Sequence, residues 1–215
     1  MNEIYGTMKQ WWNTNPEQYD DIHHGNLPEE DMALWEHYLE THIGADRQQQ
    51  ILDVGCGTGF LTIKIASLGY DCRGVDLSSG MMEIAQKKAE KQGLDIVFFE
   101  GNLVDLQIED SSVDAITNRS VLWTLFEPEK AFQEWYRVLK PEGKLLCFCS
   151  IGMDTSHNHY EQEVEDRLKL KGAPVSTLCL HLEQAGFTMI EAVLLEAIKS
   201  RHGDNPWYLI KGRKR

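Results

Sequence analysis

Three glycines, Gly55, Gly57 and Gly59, fall within five positions of "ILDVGCGTGFLTIKIA". In front of them runs the apolar "QQILDVG", a strand pattern; behind them Leu61, Ile65 and Leu68 stand at helical spacing, with Gly69 as the stop. A strand that turns at once into a helix needs a tight bend, and glycine supplies it. Glycine also lets the backbone press against a ligand, while the free N–H groups and positive end of the following helix favour an anionic one.

The rest of the chain repeats the alternation. "DCRGVDLS" predicts a second strand ending at Asp76, with Ser78 capping a helix that carries Met81, Met82, Ala85 and Ala89. "DIVFFEG" and "VDAITN" predict a third and a fourth strand, and Pro128 opens a helix carrying Ala131, Phe132, Trp135, Val138 and Leu139. "KPEGK" reads as a turn in which Gly143 takes the unusual backbone, "KLLCFCS" as a buried strand, and Leu178, Leu182 and Ala185 as a last helix closed by Gly186. "FTMIEAVLL" and "PWYLIKG" close as two antiparallel neighbours. Alternating strands and helices predict an α/β fold, a doubly wound and mostly parallel sheet that binds ligands at its strand carboxyl ends.

The 215 residues suffice for one core. A net charge of −13 argues against a nucleic-acid partner, and the basic end "KGRKR" reads as a solvated tail. No run approaches the ~18–20 apolar residues of a membrane span, and the N-terminus shows no signal core. Five cysteines, odd in number and spread out apart from Cys147 and Cys149, read as reduced thiols of a cytoplasmic protein.

The loop discriminates among anionic ligands. No Gly-Lys-Ser/Thr follows it, and the third glycine of G-x-G-x-x-G is replaced by bulky Phe60. Asp53 would repel a pyrophosphate but welcome an ammonium group. A ligand with carboxylate and ammonium together, such as the methionine end of S-adenosylmethionine (SAM), satisfies both. Asp76 is placed to accept from ribose hydroxyls, which suits SAM and NAD equally. Leu77 and Met81 can sandwich an adenine, and Gly101 and Asn102 can read its polar edge.

"LDVGCGTGFLT", "GVDLSSGMMEIAQKKA", "GNLVDL", "SVDAITNRSVLWTL" and "AFQEWYRVLKPEGKLL", in this order and spacing, resemble the class I SAM-dependent methyltransferases, specifically the small type 11 group. The resemblance runs from about Gln50 to Phe148. It implies a Rossmann-like methyltransferase fold of seven strands, the last antiparallel. It also implies SAM, with S-adenosylhomocysteine (SAH) as product, held by Asp53, Gly55, Cys56, Gly57, Thr58, Gly59, Asp76, Leu77, Met81, Gly101, Asn102, Leu103, Asn118 and Arg119. Two positions depart from the family. Asn102 stands where Asp is usual, keeping the acceptor and losing the charge. Pro141-Glu142-Gly143 replaces Pro-Gly-Gly.

The expected activity is methyl transfer to a small-molecule acceptor by in-line displacement, in a monomer or homodimer, with no catalytic base assigned. "NRSVLW" lacks the Pro-Pro-aromatic signature of DNA amino-methyltransferases. A dinucleotide-dependent oxidoreductase and a non-catalytic SAM-binding protein are the alternatives. Residues 1–45 are expected to form an N-terminal lid and helical segment, and 46–215 the SAM-binding domain. Residues 1–28 show no sustained helical stripe, whereas Met32, Trp35, Leu39 and Ile43 predict a helix over 29–43. Tyr5, Trp11, Trp12, Tyr19 and His23 are expected to line the acceptor side of the lid, with Trp123 opposite. His23 and His24 could act as a base, although most histidines do not. Cys147, Cys149, His157 and His159 have zinc-like spacing, but the two cysteines belong to a buried strand and no metal is assigned.

Overall fold

The computed structural model describes residues 2–14, 16–24, 28–150, 159–198 and 206–215. Seven strands, β1 (Gln50–Val54), β2 (Asp71–Asp76), β3 (Phe98–Glu100), β4 (Val113–Arg119), β5 (Leu139–Ser150), β6 (Thr188–Leu194) and β7 (Trp207–Arg213), form one sheet in the order β3-β2-β1-β4-β5-β7-β6. The pairs among β1 to β5 are parallel, and β7 runs antiparallel to both β5 and β6. This is the sheet the resemblance implies. The strand order reverses between β1 and β4, which opens a crevice at their carboxyl ends.

The helices are α1 (Asn2–Thr14), α2 (Pro16–His23), α3 (Glu29–Ile43), α4 (Phe60–Ser67), α5 (Ser79–Lys91), α6 (Pro128–Val138), α7 (Gln162–Glu165) and α8 (Val175–Gln184). The sheet separates two cores. Leu52, Val54 and Ile116 pack with Phe132 and Trp135 of α6 and Leu182 of α8. Ile51, Ala115 and Phe148 pack with Trp35, Leu39 and Ile43 of α3 and Leu61 and Ile65 of α4. Adjacent residues of β1 thus serve opposite faces, as a strand's two-residue period requires. The fully buried Trp135 indole also donates Nε1–H to the Leu103 carbonyl at 3.1 Å, fixing α6 against the loop after β3.

The N-terminal stretch departs most from expectation. Residues 2–14 and 16–23 are helical, because Ile4, Met8 and Trp12 stand four apart and share a face packed against Phe126, Tyr160 and Leu168. Within residues 1–45, α1 and α2 contribute to the wall of the crevice, while α3 packs in the core. The expected 95–101 strand shortens to Phe98–Glu100. "KPEGK" is a bulged continuation of β5, and Glu142, not Gly143, takes the left-handed backbone at φ 63°. Gly143 is required for space, because a Cβ there would lie 2.7 Å from the Lys140 carbonyl oxygen. No helix among the described residues is long and apolar enough to cross a membrane.

Candidate functional site

The glycine loop crosses from β1 to α4 with φ of 68° at Gly55, 52° at Gly57 and 81° at Gly59. The Gly55 and Cys56 N–H groups donate to the Val75 carbonyl at 2.8 and 3.1 Å, tying the loop to β2. Asp76 ends β2 and holds the same loop: Gly57 N–H donates to its Oδ2 and Ser78 N–H to its Oδ1, each at 2.8 Å. Ser78 caps α5 by accepting from Met81 N–H. Burial raises the Asp76 carboxyl above its ordinary value, against the pull of these N–H groups. Each carboxylate oxygen accepts more than one bond, so Asp76 keeps capacity toward a ligand.

A cleft of about 760 Å³, part of it open to solvent, lies between this loop and the N-terminal helices. Gly55, Gly57, Asp76, Leu77, Met81, Asn102, Leu103 and Arg119 line it from the sheet side. Tyr5, Trp12 and Tyr19 line it from α1 and α2. Asn102 Oδ1 accepts from Val104 N–H at 3.2 Å, and its side chain also engages the Tyr5 hydroxyl. Burial and the Glu127 carboxylate, which accepts from Tyr5 at 2.9 Å, push the Tyr5 phenol up. Burial likewise raises Tyr19.

Other expected residues stand behind the wall. Asp53 is buried, and its two oxygens accept from Thr62 Oγ1 at 2.6 Å and Thr117 Oγ1 at 2.9 Å. Burial pushes its carboxyl up to about 7 against those hydroxyls. It braces β1, α4 and β4 beneath the loop and is not among the residues that line the cleft. Cys56 is buried beside β2. A Cβ on Gly59 would press on Ala85 of α5 at 2.9 Å. Gly101 fits against Val75 and donates to the Asp76 carbonyl. Asn118 is buried and donates Nδ2–H to Cys147 Sγ at 3.1 Å. Thr58 donates its hydroxyl to Asp20 of α2 at 2.6 Å. Trp11 is exposed, edge-on to His159 and outside the cleft lining, and the His23 ring is tilted against Tyr19 with centroids 4.3 Å apart. Trp123 lies behind Trp12, 4.8 Å from the His159 ring. Cys147 and Cys149 are buried in β5, and His157 lies outside the described residues.

Polar contacts seat the two N-terminal helices. Asn13 Oδ1 accepts from Ser78 Oγ at 2.7 Å and from Gly80 N–H at 2.9 Å, at the start of α5. Trp12 Nε1 donates to the Tyr160 hydroxyl at 2.7 Å, and Lys9 pairs with Glu100. Met8, Val104, Ser120, Val121, Thr124, Leu125 and Phe126 complete the lining without having been expected. For Met8 the signal was the four-residue spacing with Ile4 and Trp12. Ser120 takes a left-handed φ of 58°, a strained backbone of the kind that accumulates at functional sites.

Residues 52–147 match a family model described as a methyltransferase domain. A demethylmenaquinone methyltransferase of Renibacterium salmoninarum is 36% identical over 112 residues, covering 52% of this chain and 46% of that protein. The chain spans about half the length of the curated relatives it matches. Among solved structures, a phosphoethanolamine N-methyltransferase of Haemonchus contortus, complexed with phosphomonomethylethanolamine and SAH, superposes with a TM-score of 0.71 at 20% identity, covering 98% of this chain and 60% of that one. The [4+2]-cyclase SpnF superposes with a TM-score of 0.76 at 19% identity, covering 96% and 94%. The chain therefore has the Rossmann-like methyltransferase fold and carries a methyltransferase domain of the kind the motifs announced. A cyclase on the same frame shows that activity has to be argued from the site.

Proposed function

We propose that this chain, which carries a methyltransferase domain of the class I SAM-dependent family, transfers a methyl group from SAM to a small organic acceptor. The observation that carries the reading is at Gly57. Its φ of 52° is left-handed, and a Cβ built there would meet no described atom within 4 Å. The glycine therefore keeps space free in the cleft, beside the carboxylate of Asp76.

The lining fits the cofactor. Asp76 is the one carboxylate among the described lining residues and stands where it can accept from ribose hydroxyls. Leu77 and Met81 offer apolar surfaces to an adenine, and the Asn102 amide oxygen accepts from its amine. Arg119 supplies a permanent positive charge at the β4 end for a carboxylate. Bound SAM supplies a methyl group made electrophilic by its sulfonium.

The residues contribute position and exclusion of water, which can account for most of such a rate. Tyr5, Met8, Trp12, Leu125 and Phe126 form an aromatic and aliphatic wall, suited to an acceptor with an apolar body. The named activity of the Renibacterium relative makes a demethylated quinol the first acceptor to try. The test is SAH release from SAM with a panel of quinols, phenols and small amines, including phosphoethanolamine. Turnover with one panel member supports the reading. SAM binding without SAH release for any of them favours a non-catalytic SAM-binding role.

A further inference from the structure

One imidazole touches α2, the glycine loop and the end of β4 together. His24 follows α2 directly and its side chain is 7% exposed, with the ring stacked on Phe60 at 4.7 Å and an interplanar angle of 21°. Its Nδ1 is 2.9 Å from Asp20 Oδ1 and 3.0 Å from Thr58 Oγ1. Its Nε2 is 2.7 Å from Arg119 Nη1.

The proton inventory fixes the tautomer. A guanidinium only donates, so Nε2 must accept and the ring proton sits on Nδ1. Nδ1–H then donates toward Asp20 and Thr58. The Thr58 hydroxyl donates to Asp20 at 2.6 Å, and Lys88 of α5 donates to the same oxygen at 2.8 Å. Arg119 lines the cleft, and its guanidinium lies 4.4 Å from the Phe60 ring centroid and 5.0 Å from that of Trp207.

We propose that His24, as the neutral Nδ1–H tautomer, is a positioning residue that orients Arg119 along the cofactor cleft, so that seating α2, which carries the residue before it, and completing the cofactor site are one event. The inference rests on the cofactor reading of the cleft. An imidazolium would set N–H against N–H at Arg119. The groups around the ring make that state costly: burial, Arg119 and Lys88 lower its pKa while Asp20 raises it, with His23 and Tyr19 beside it, and the balance is about 3.

Two substitutions separate the ends of the ring. H24Q keeps an acceptor near the Nε2 position, whereas H24N keeps a donor toward Asp20 and offers nothing to Arg119. Calorimetry with SAH is expected to show H24N roughly ten-fold weaker than wild type and H24Q within about three-fold, with equal urea midpoints in the absence of SAH. H24N in an R119M background should cost nothing further, as a coupled pair requires. Imidazole nitrogen-15 correlations on the ligand-free wild-type protein should show the neutral Nδ1–H form from pH 5 to 8, a readout that needs no variant to fold. An imidazolium or Nε2–H form at pH 6 overturns the inference, as does an H24N that binds like wild type or an H24Q that loses as much as H24N. Absence of SAH binding by the wild-type protein overturns the cofactor reading and this inference with it; wild-type binding with H24N unaffected overturns this inference alone.

Discussion

Gly57→Ala should separate binding from folding. At φ 52° an added Cβ costs about 1–2 kcal/mol of left-handed strain, offset by roughly 0.4–1 kcal/mol from a less free unfolded chain. With no described atom within 4 Å of that Cβ, no clash adds to it, so the net loss should be near 1 kcal/mol. Gly59→Ala is the control. Its φ of 81° carries the same strain, and its Cβ would also come within 2.9 Å of Ala85 and 3.0 Å of Ile63, adding about 1–3 kcal/mol of overpacking between α4 and α5. Urea unfolding of the two variants gives the folding costs, and calorimetry with SAH gives the binding cost. Gly57→Ala is expected to stay folded and lose SAH affinity by at least an order of magnitude. A folded Gly57→Ala with wild-type affinity would refute the assignment of this loop, and a folding cost equal to that of Gly59→Ala would refute the reading of the open space.

Asp76→Ala should weaken SAM and SAH alike by at least about ten-fold, since hydrogen bonds to a charged acceptor contribute roughly 1.5–3 kcal/mol each; unchanged calorimetric affinity would place the ribose elsewhere. Asp53 sits at about 7 in the folded state against 3.8 unfolded. The folded protein therefore holds the proton more tightly in that window. The stabilisation is full below pH 3.8 and is lost as pH rises through 7, so Asp53→Asn should gain on wild type by about 1 kcal/mol or more between pH 4 and 8 in urea titrations. A constant difference would mean that Asp53 is ionised throughout. Amides of α1 and α2 should exchange faster than those of α6 without ligand and slow on addition of SAH; protection already equal to that of α6 would make these helices a fixed part of the core. Trp135→Ala should cost about 3–5 kcal/mol by chemical unfolding, because the indole is fully buried and its N–H is partnered; a cost below 1 kcal/mol would mean that α6 is not anchored there.

The parts of the site legible in the sequence are those built locally. Asp76, Ser78 and Met81 lie within six residues, and the cap and the strand end follow from their spacing. Gly57 is legible for the same reason, because a strand-to-helix turn states its own backbone needs. Asp53 is harder, since charge beside a glycine loop does not say which way a strand residue points. Between Leu52 and Val54, which serve the α6 face, Asp53 points to the α4 face and meets Thr62. The wall opposite the loop depends on partners far apart in the chain. Trp12 and Tyr160 are 148 positions apart and Tyr5 and Glu127 are 122 apart, so nothing local announces either pairing. The α1 helix is a different case, because Ile4, Met8 and Trp12 carry its period and the interleaved Gly6 and polar residues hide it.

The central claim is that the cleft between the glycine loop and α1–α2 is a SAM site. Isothermal titration of the wild-type chain with SAH, SAM and NADH tests it most directly. One site is expected for SAH and for SAM, lost together in Gly57→Ala and weakened together in Asp76→Ala, with no heat from NADH. Saturable binding of NADH with none of SAH or SAM would contradict it.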